Sequence, residues 1–115
     1  MKILVCGGRD YSDQKRVFTE LDAIHLAVTI DELIEGGANG ADALGRTWAL
    51  THNIPVRTYF ANWRVYGRGG GPIRNRQMLE ENPDIGLVVA FPGGKGTADM
   101  MALVRRRGIE VREVR

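Results

Sequence analysis

Residues 85–100 read IGLVVAFPGGKGTADM, an apolar run that stops at a proline and two glycines and is followed by a helix-compatible segment. From Ile85 to Phe91 there is no alternation of apolar and polar positions, as expected of a strand covered on both faces. The stretch TADMMALVRRRG, 97–108, offers Met100, Met101, Leu103 and Val104 as packing residues and places arginines at its end, where the helix dipole favours cations. Strand, glycine turn and helix follow one another here, and the same order recurs toward both ends of the chain.

On the N-terminal side, Lys2 to Cys6 is a short apolar strand ending at Gly7-Gly8. SDQKRVFTELDAIH, 12–25, is the first helix, with Ser12 or Asp13 as cap and Val17, Leu21 and Ile24 on one face. AVTIDELIEGG, 27–37, is the second strand with its loop, although IDELIE also suits a helical turn. NGADALGRTWALTHN, 39–53, opens with a glycine turn and forms the second helix, burying Ala43, Leu44, Thr47, Trp48 and Leu50.

Pro55 bars further helix and introduces VRTYF, 56–60, as the third strand. ANWRVYGRGGG, 61–71, reads as a long irregular loop of arginines, aromatics and glycines, a length that small domains keep for function. Pro72 suits the first turn of the third helix, 72–82, and Pro83 marks its end. IEVREV, 109–114, alternates and reads as a fifth strand at a sheet edge. The expectation is an α/β fold: a mostly parallel sheet of about five strands flanked on both faces by about four helices, in one domain spanning 1–115.

The chain has 43% hydrophobic and 26% charged residues and a net charge of +2, values of an ordinary globular protein and not of a disordered tail. The longest apolar run is far short of a bilayer span and the N-terminus shows no cleavage-site pattern, so the expected location is cytoplasmic, away from membranes. Cys6 is the only cysteine and reads as a packed thiol, and His25 and His52 lack nearby ligand partners, so neither a metal nor a resident cofactor is expected. Between Ala43 and Leu79 there is no Asp or Glu, while Arg46, Arg57, Arg64, Arg68, Arg74 and Arg76 all fall there. Six arginines and no lysine suit bidentate recognition of phosphate or carboxylate; a solvated basic face is the plainer alternative.

In parallel α/β sheets ligands bind beyond the carboxyl ends of the strands, and every glycine cluster of this chain falls at that edge. After the first strand come Gly7, Gly8, Arg9 and Asp10; after the second, Gly37, Asn39, Gly40 and Asp42. Asp42 is placed to cap its helix or to bond ribose hydroxyls, and the amides of Gly37 to Ala41 to hold phosphate. After the third strand come Trp63 and Tyr66, placed to stack on a base or to cover the core, and Arg74 and Asn75, with Arg74 as phosphate clamp. In the opening motif, Pro92, Gly93, Gly94, Gly96 and Thr97 form a turn whose amides and hydroxyl suit a phosphate. The spacing is neither that of a P-loop nor that of a dinucleotide fingerprint after the first strand.

GGRDY, GGANGADALGRTWA, GPIRNRQML and AFPGGKGTADM together resemble small bacterial and phage proteins of the SLOG superfamily, in its YspA-like branch, over almost the whole chain. The resemblance implies a three-layer Rossmann-like fold, a nucleotide or nucleotide-derived ligand and a homo-oligomer. The superfamily includes the lonely-guy phosphoribohydrolases, which cleave the N-glycosidic bond of nucleoside monophosphates, and the Smf/DprA proteins, which bind single-stranded DNA. The hydrolase motif P-G-G-x-G-T-x-x-E, whose Glu works with an upstream Arg, is matched up to Thr97, but Met100 stands at the Glu position and the nearest carboxylate, Asp99, is one residue early. One residue on a helix turns a side chain by about 100°, which directs Asp99 away from where that Glu points. Arg74 and Asp99 are then the candidates for any catalysis. A net charge of +2, with the basic residues gathered in one region, speaks against a nucleic-acid partner.

Overall fold

The apolar segment Lys2–Cys6 becomes β1, the central strand, with Ile3 and Val5 buried on one face and Leu4 and Cys6 on the other. The computed structural model describes residues 1–115 and places β2 (Glu32–Glu35) and β4 (Ile85–Ala90) on either side of β1. β3 (Val56–Thr58) and β5 (Val111–Glu113) form the two edges, giving the order β3-β2-β1-β4-β5 with every pair parallel. Edge position accounts for the charged, alternating look of β5.

Two helices cover the Ile3/Val5 face: α1 (Gln14–Val28) through Val17, Leu21 and Ile24, and α2 (Ala41–Thr51) through Ala41, Trp48 and Ala49. A one-turn helix, α3 (Trp63–Tyr66), and a 3₁₀ turn over Gly67–Gly69 lead into α4 (Gly70–Glu81). With α5 (Lys95–Arg106), α4 covers the Leu4/Cys6 face through Met78, Leu79, Met100 and Val104. Five parallel strands between two helical layers form the α/β, Rossmann-like arrangement expected from the sequence. Each fully buried aliphatic side chain of these two cores stabilises it by about 1.5–3 kcal/mol relative to exposure.

Trp48 is fully buried between α1 and α2, and its indole N–H donates to Asp22 Oδ1 at 2.8 Å. His52 stacks on it at 4.4 Å and His25 meets it edge-on at 5.7 Å, so both histidines are packing residues. Cys6 is a buried free thiol, pushed up to about 12 chiefly by burial.

Several boundaries differ from the sequence reading. α1 runs on to Val28 and closes at Thr29, whose N–H donates to the His25 carbonyl, so Ala27 and Val28 belong to the helix and not to β2. The expected irregular loop 61–71 is largely helical: Asn62 caps α3 by accepting the Val65 N–H at 3.1 Å, and α4 begins at Gly70. Pro72 still sits in the first turn, where its missing N–H has no helical partner to lose. α5 begins at Lys95, two residues before Thr97. No helix is long and apolar enough to cross a membrane.

Candidate functional site

The chain leaves β1 toward β2 through α1, while β4 lies on β1's other side, so the connections diverge at the carboxyl ends of β1 and β4. That divergence opens a crevice in parallel α/β sheets. Two glycine loops interlock there: the Gly8 N–H donates to the Pro92 carbonyl at 2.9 Å. A Cβ on Gly93 would run into the Thr97 hydroxyl and come within 2.7 Å of the Gly8 nitrogen, so only glycine allows this approach. Beyond the loops lies a cavity of about 540 Å³.

One wall of the cavity is the start of α5, contributed by Gly94, Lys95, Gly96 and Thr97. The backbone N–H groups from Gly93 to Thr97 donate to no group of the chain. Thr97 is only 7% exposed, yet its hydroxyl has no hydrogen-bond partner. Free amides at a helix start, with the positive end of the dipole behind them, form an anion site.

The β2–α2 loop behaves differently from its sequence reading. Asp42 is buried but does not cap α2; its Oδ2 accepts the N–H groups of Gly36 and Ala38 at 3.2 and 3.3 Å and folds the loop back on itself. The Gly37 N–H donates to Glu35 Oε1 at 2.7 Å and the Ala41 N–H to the Gly8 carbonyl at 3.2 Å. The second phosphate cradle expected over Gly37 to Ala41 has therefore given three of its amides to the chain itself. Gly40 packs against the Gly8 and Arg9 carbonyls with φ +72°, a structural place. Burial pushes the Asp42 carboxyl up to about 6, Glu35 adding to the rise and the Ala38 amide opposing it.

Glu35 escaped the sequence reading. It is fully buried at the end of β2, accepts from Thr58 Oγ1, and pairs with Arg46 at 3.3 Å. The signal was an acid at the carboxyl end of an apolar strand, directly before a glycine pair. The arginines of the acid-free segment divide accordingly: Arg46 pairs with Glu35 and Arg57 with Glu32, whereas Arg68 and Arg74 line the cavity and Arg64 and Arg76 are exposed.

Arg74 donates from Nη1 to the Gly36 carbonyl at 2.5 Å and from Nε to Asn75 Oδ1 at 3.0 Å, leaving its other donors free. Burial lowers its pKa, with Asp42 opposing. Asp99 lines the cavity and Met100 is buried in the core against β1 and β4, so Asp99 is the carboxylate that α5 turns inward. Asp99 and Met100 thus face different ways, as one residue's turn of a helix requires, and Asn75 Nδ2 donates to Asp99 Oδ2 at 2.9 Å, holding the carboxylate at the cavity.

Trp63 and Arg9 close the mouth, the Arg9 guanidinium lying 4.9 Å from the Trp63 ring. Tyr66 and Asp10 are exposed and line no part of the cavity, and Gly7 and Gly8 form its floor with Cys6.

Residues 1–66 match the YspA, cpYpsA-related SLOG family (YAcAr), a span that holds the Gly7–Arg9 and Gly36–Asp42 loops and ends at α3. The chain is also similar to the gene 61 protein of Mycobacterium phage D29, 30% identical over 118 aligned positions that cover 96% of this chain and 93% of that protein. With the family match over more than half of its length and the phage relative over nearly all of it, the chain belongs to the YspA, cpYpsA-related SLOG family.

Proposed function

We propose that the chain binds a nucleotide or nucleotide-derived ligand, holding its phosphate at the start of α5. One observation carries this reading: unpartnered amides from Gly94 to Thr97 and an unpaired Thr97 hydroxyl, on a residue only 7% exposed, meet at a cavity sized for a small ligand. Lys95, Arg9, Arg68 and the free donors of Arg74 supply positive charge around it. Trp63 stands at the mouth beneath the Arg9 guanidinium, a cation–aromatic pair that a base can join by stacking. Membership of a SLOG family is consistent with a ligand of nucleotide class.

Calorimetric titration with nucleoside monophosphates, ADP-ribose and cyclic dinucleotides tests the proposal. Saturable binding of at least one is expected, weakened about tenfold or more when Thr97→Val and Lys95→Ala are combined. The absence of binding by all of them overturns it.

A second reading, cleavage of a nucleotide N-glycosidic bond, is favoured by the carboxylates of Asp42 and Asp99. Both line the cavity, each with one oxygen unpaired. A carboxylate can stabilise an oxocarbenium-like centre or activate water, and a second can protonate the leaving base. Chromatography of long incubations then shows free base with the wild type and none with Asp99→Asn. Intact nucleotide with both proteins removes this reading and leaves the binding one standing.

A further inference from the structure

Beside the phosphate cavity lies a second cleft of about 250 Å³, lined by Asn39, Phe60 and Ala61 and sharing Arg9, Trp63 and Arg74 with the first. Its apolar rings are open to solvent: Phe60 is 73% exposed and Trp63 44% exposed. Phe60 packs its ring against Gly37, where a Cβ would come within 2.5 Å of the ring and where φ is +71°. The ring thus has a glycine floor beneath it. Asn39 is exposed and its side-chain amide has no partner within the chain.

Exposed aromatic surface is costly to leave bare, and a ring beside an unspent amide has the chemistry of a nucleobase seat: a face to stack on and a donor–acceptor edge to read. Arg9 and Arg74 stand between this seat and the α5 amides, where they can neutralise a bridge that joins the two compartments.

We infer that the cleft is a second subsite for a planar heterocycle, so that the ligand is bipartite: a disubstituted diphosphate carrying two ring systems, one of them seated on Phe60. This rests on the proposed phosphate site, because the bridge must be held at α5 for the second ring to reach Phe60.

The test compares each nucleoside monophosphate with the symmetrical dinucleoside diphosphate of the same base, by calorimetry, on wild type and Phe60→Ala. Particle mass is measured for both proteins by light scattering. For at least one base the diphosphate is expected to bind about tenfold more tightly than the monophosphate, the range of one stacked base, and the ratio to fall to near one in Phe60→Ala. A ratio near one in the wild type, or the same ratio in both proteins, overturns the inference. So does a Phe60→Ala effect confined to particle mass, which assigns the aromatic surface to contact between copies of the chain. Failure of the phosphate reading looks different: neither ligand class binds, and the inference falls with it.

Discussion

Asn75 Nδ2 lies 2.9 Å from Asp99 Oδ2, so a buried amide on α4 fixes the direction of a carboxylate on α5. The same Nδ2 reaches the Gly96 carbonyl at 3.3 Å, and Asn75 Oδ1 accepts the Arg74 Nε–H at 3.0 Å. One side chain therefore sets three things around the cavity: a cation, a carboxylate and the first turn of α5.

Replacing Asn75 by leucine keeps the branched heavy-atom shape and removes all three bonds, leaving Arg74 Nε, the Gly96 carbonyl and Asp99 without that partner. The expected loss is about 1–3 kcal/mol, read as a lower urea midpoint with an unchanged slope. An unchanged midpoint would show that water replaces the amide freely and that Asn75 holds nothing.

The glycines of the β4–α5 turn divide into two kinds. At Gly93 a Cβ collides with the Thr97 hydroxyl and the Gly8 nitrogen, so Gly93→Ala must force the β1–α1 and β4–α5 loops apart, at about 1–3 kcal/mol or more. At Gly96, inside α5, a Cβ meets nothing within 4 Å, and Gly96→Ala is expected to stabilise by up to about 1 kcal/mol. Thermal melts of the two variants should shift in opposite directions. Shifts of the same sign would contradict the interlocked loops.

The long apolar runs and the glycine clusters made the layers and the sheet edge legible in the sequence, because unalternating strands and left-handed turns are local properties. β1, β4 and the turn at Pro92 were therefore read without the structure. α3 was not, since four residues are too few for a helical period and its order comes from Asn62 bonding to Val65. Nor was the partner that holds Asp99 at the cavity, which lies 24 positions away in sequence. Asp42 lines the cavity with partners its position does not announce: a carboxylate at a helix start normally caps it, and here the loop before it claims the oxygen. Glu35 was hidden by its strand of four residues, too short to show which side of the sheet an acid takes.

Asp42 also gives the fold a defined pH dependence. Its carboxyl is raised from the ordinary 3.8 to about 6 in the folded chain, so between these values the folded state holds a proton that the unfolded state has released. Stability must then fall as pH rises through this window, and above about pH 6 the buried carboxylate costs about 3 kcal/mol relative to its protonated form. Asp42→Asn keeps an oxygen able to accept the Gly36 and Ala38 amides while removing the charge. Its stability relative to wild type should therefore increase from pH 4.5 to pH 7.5 by about 2 kcal/mol, part of the cost being already present at pH 4.5, when both proteins are unfolded in urea at the two pH values. A difference independent of pH would show that Arg74 compensates the charge fully; a difference of opposite sign would show that the carboxylate is the form the fold prefers.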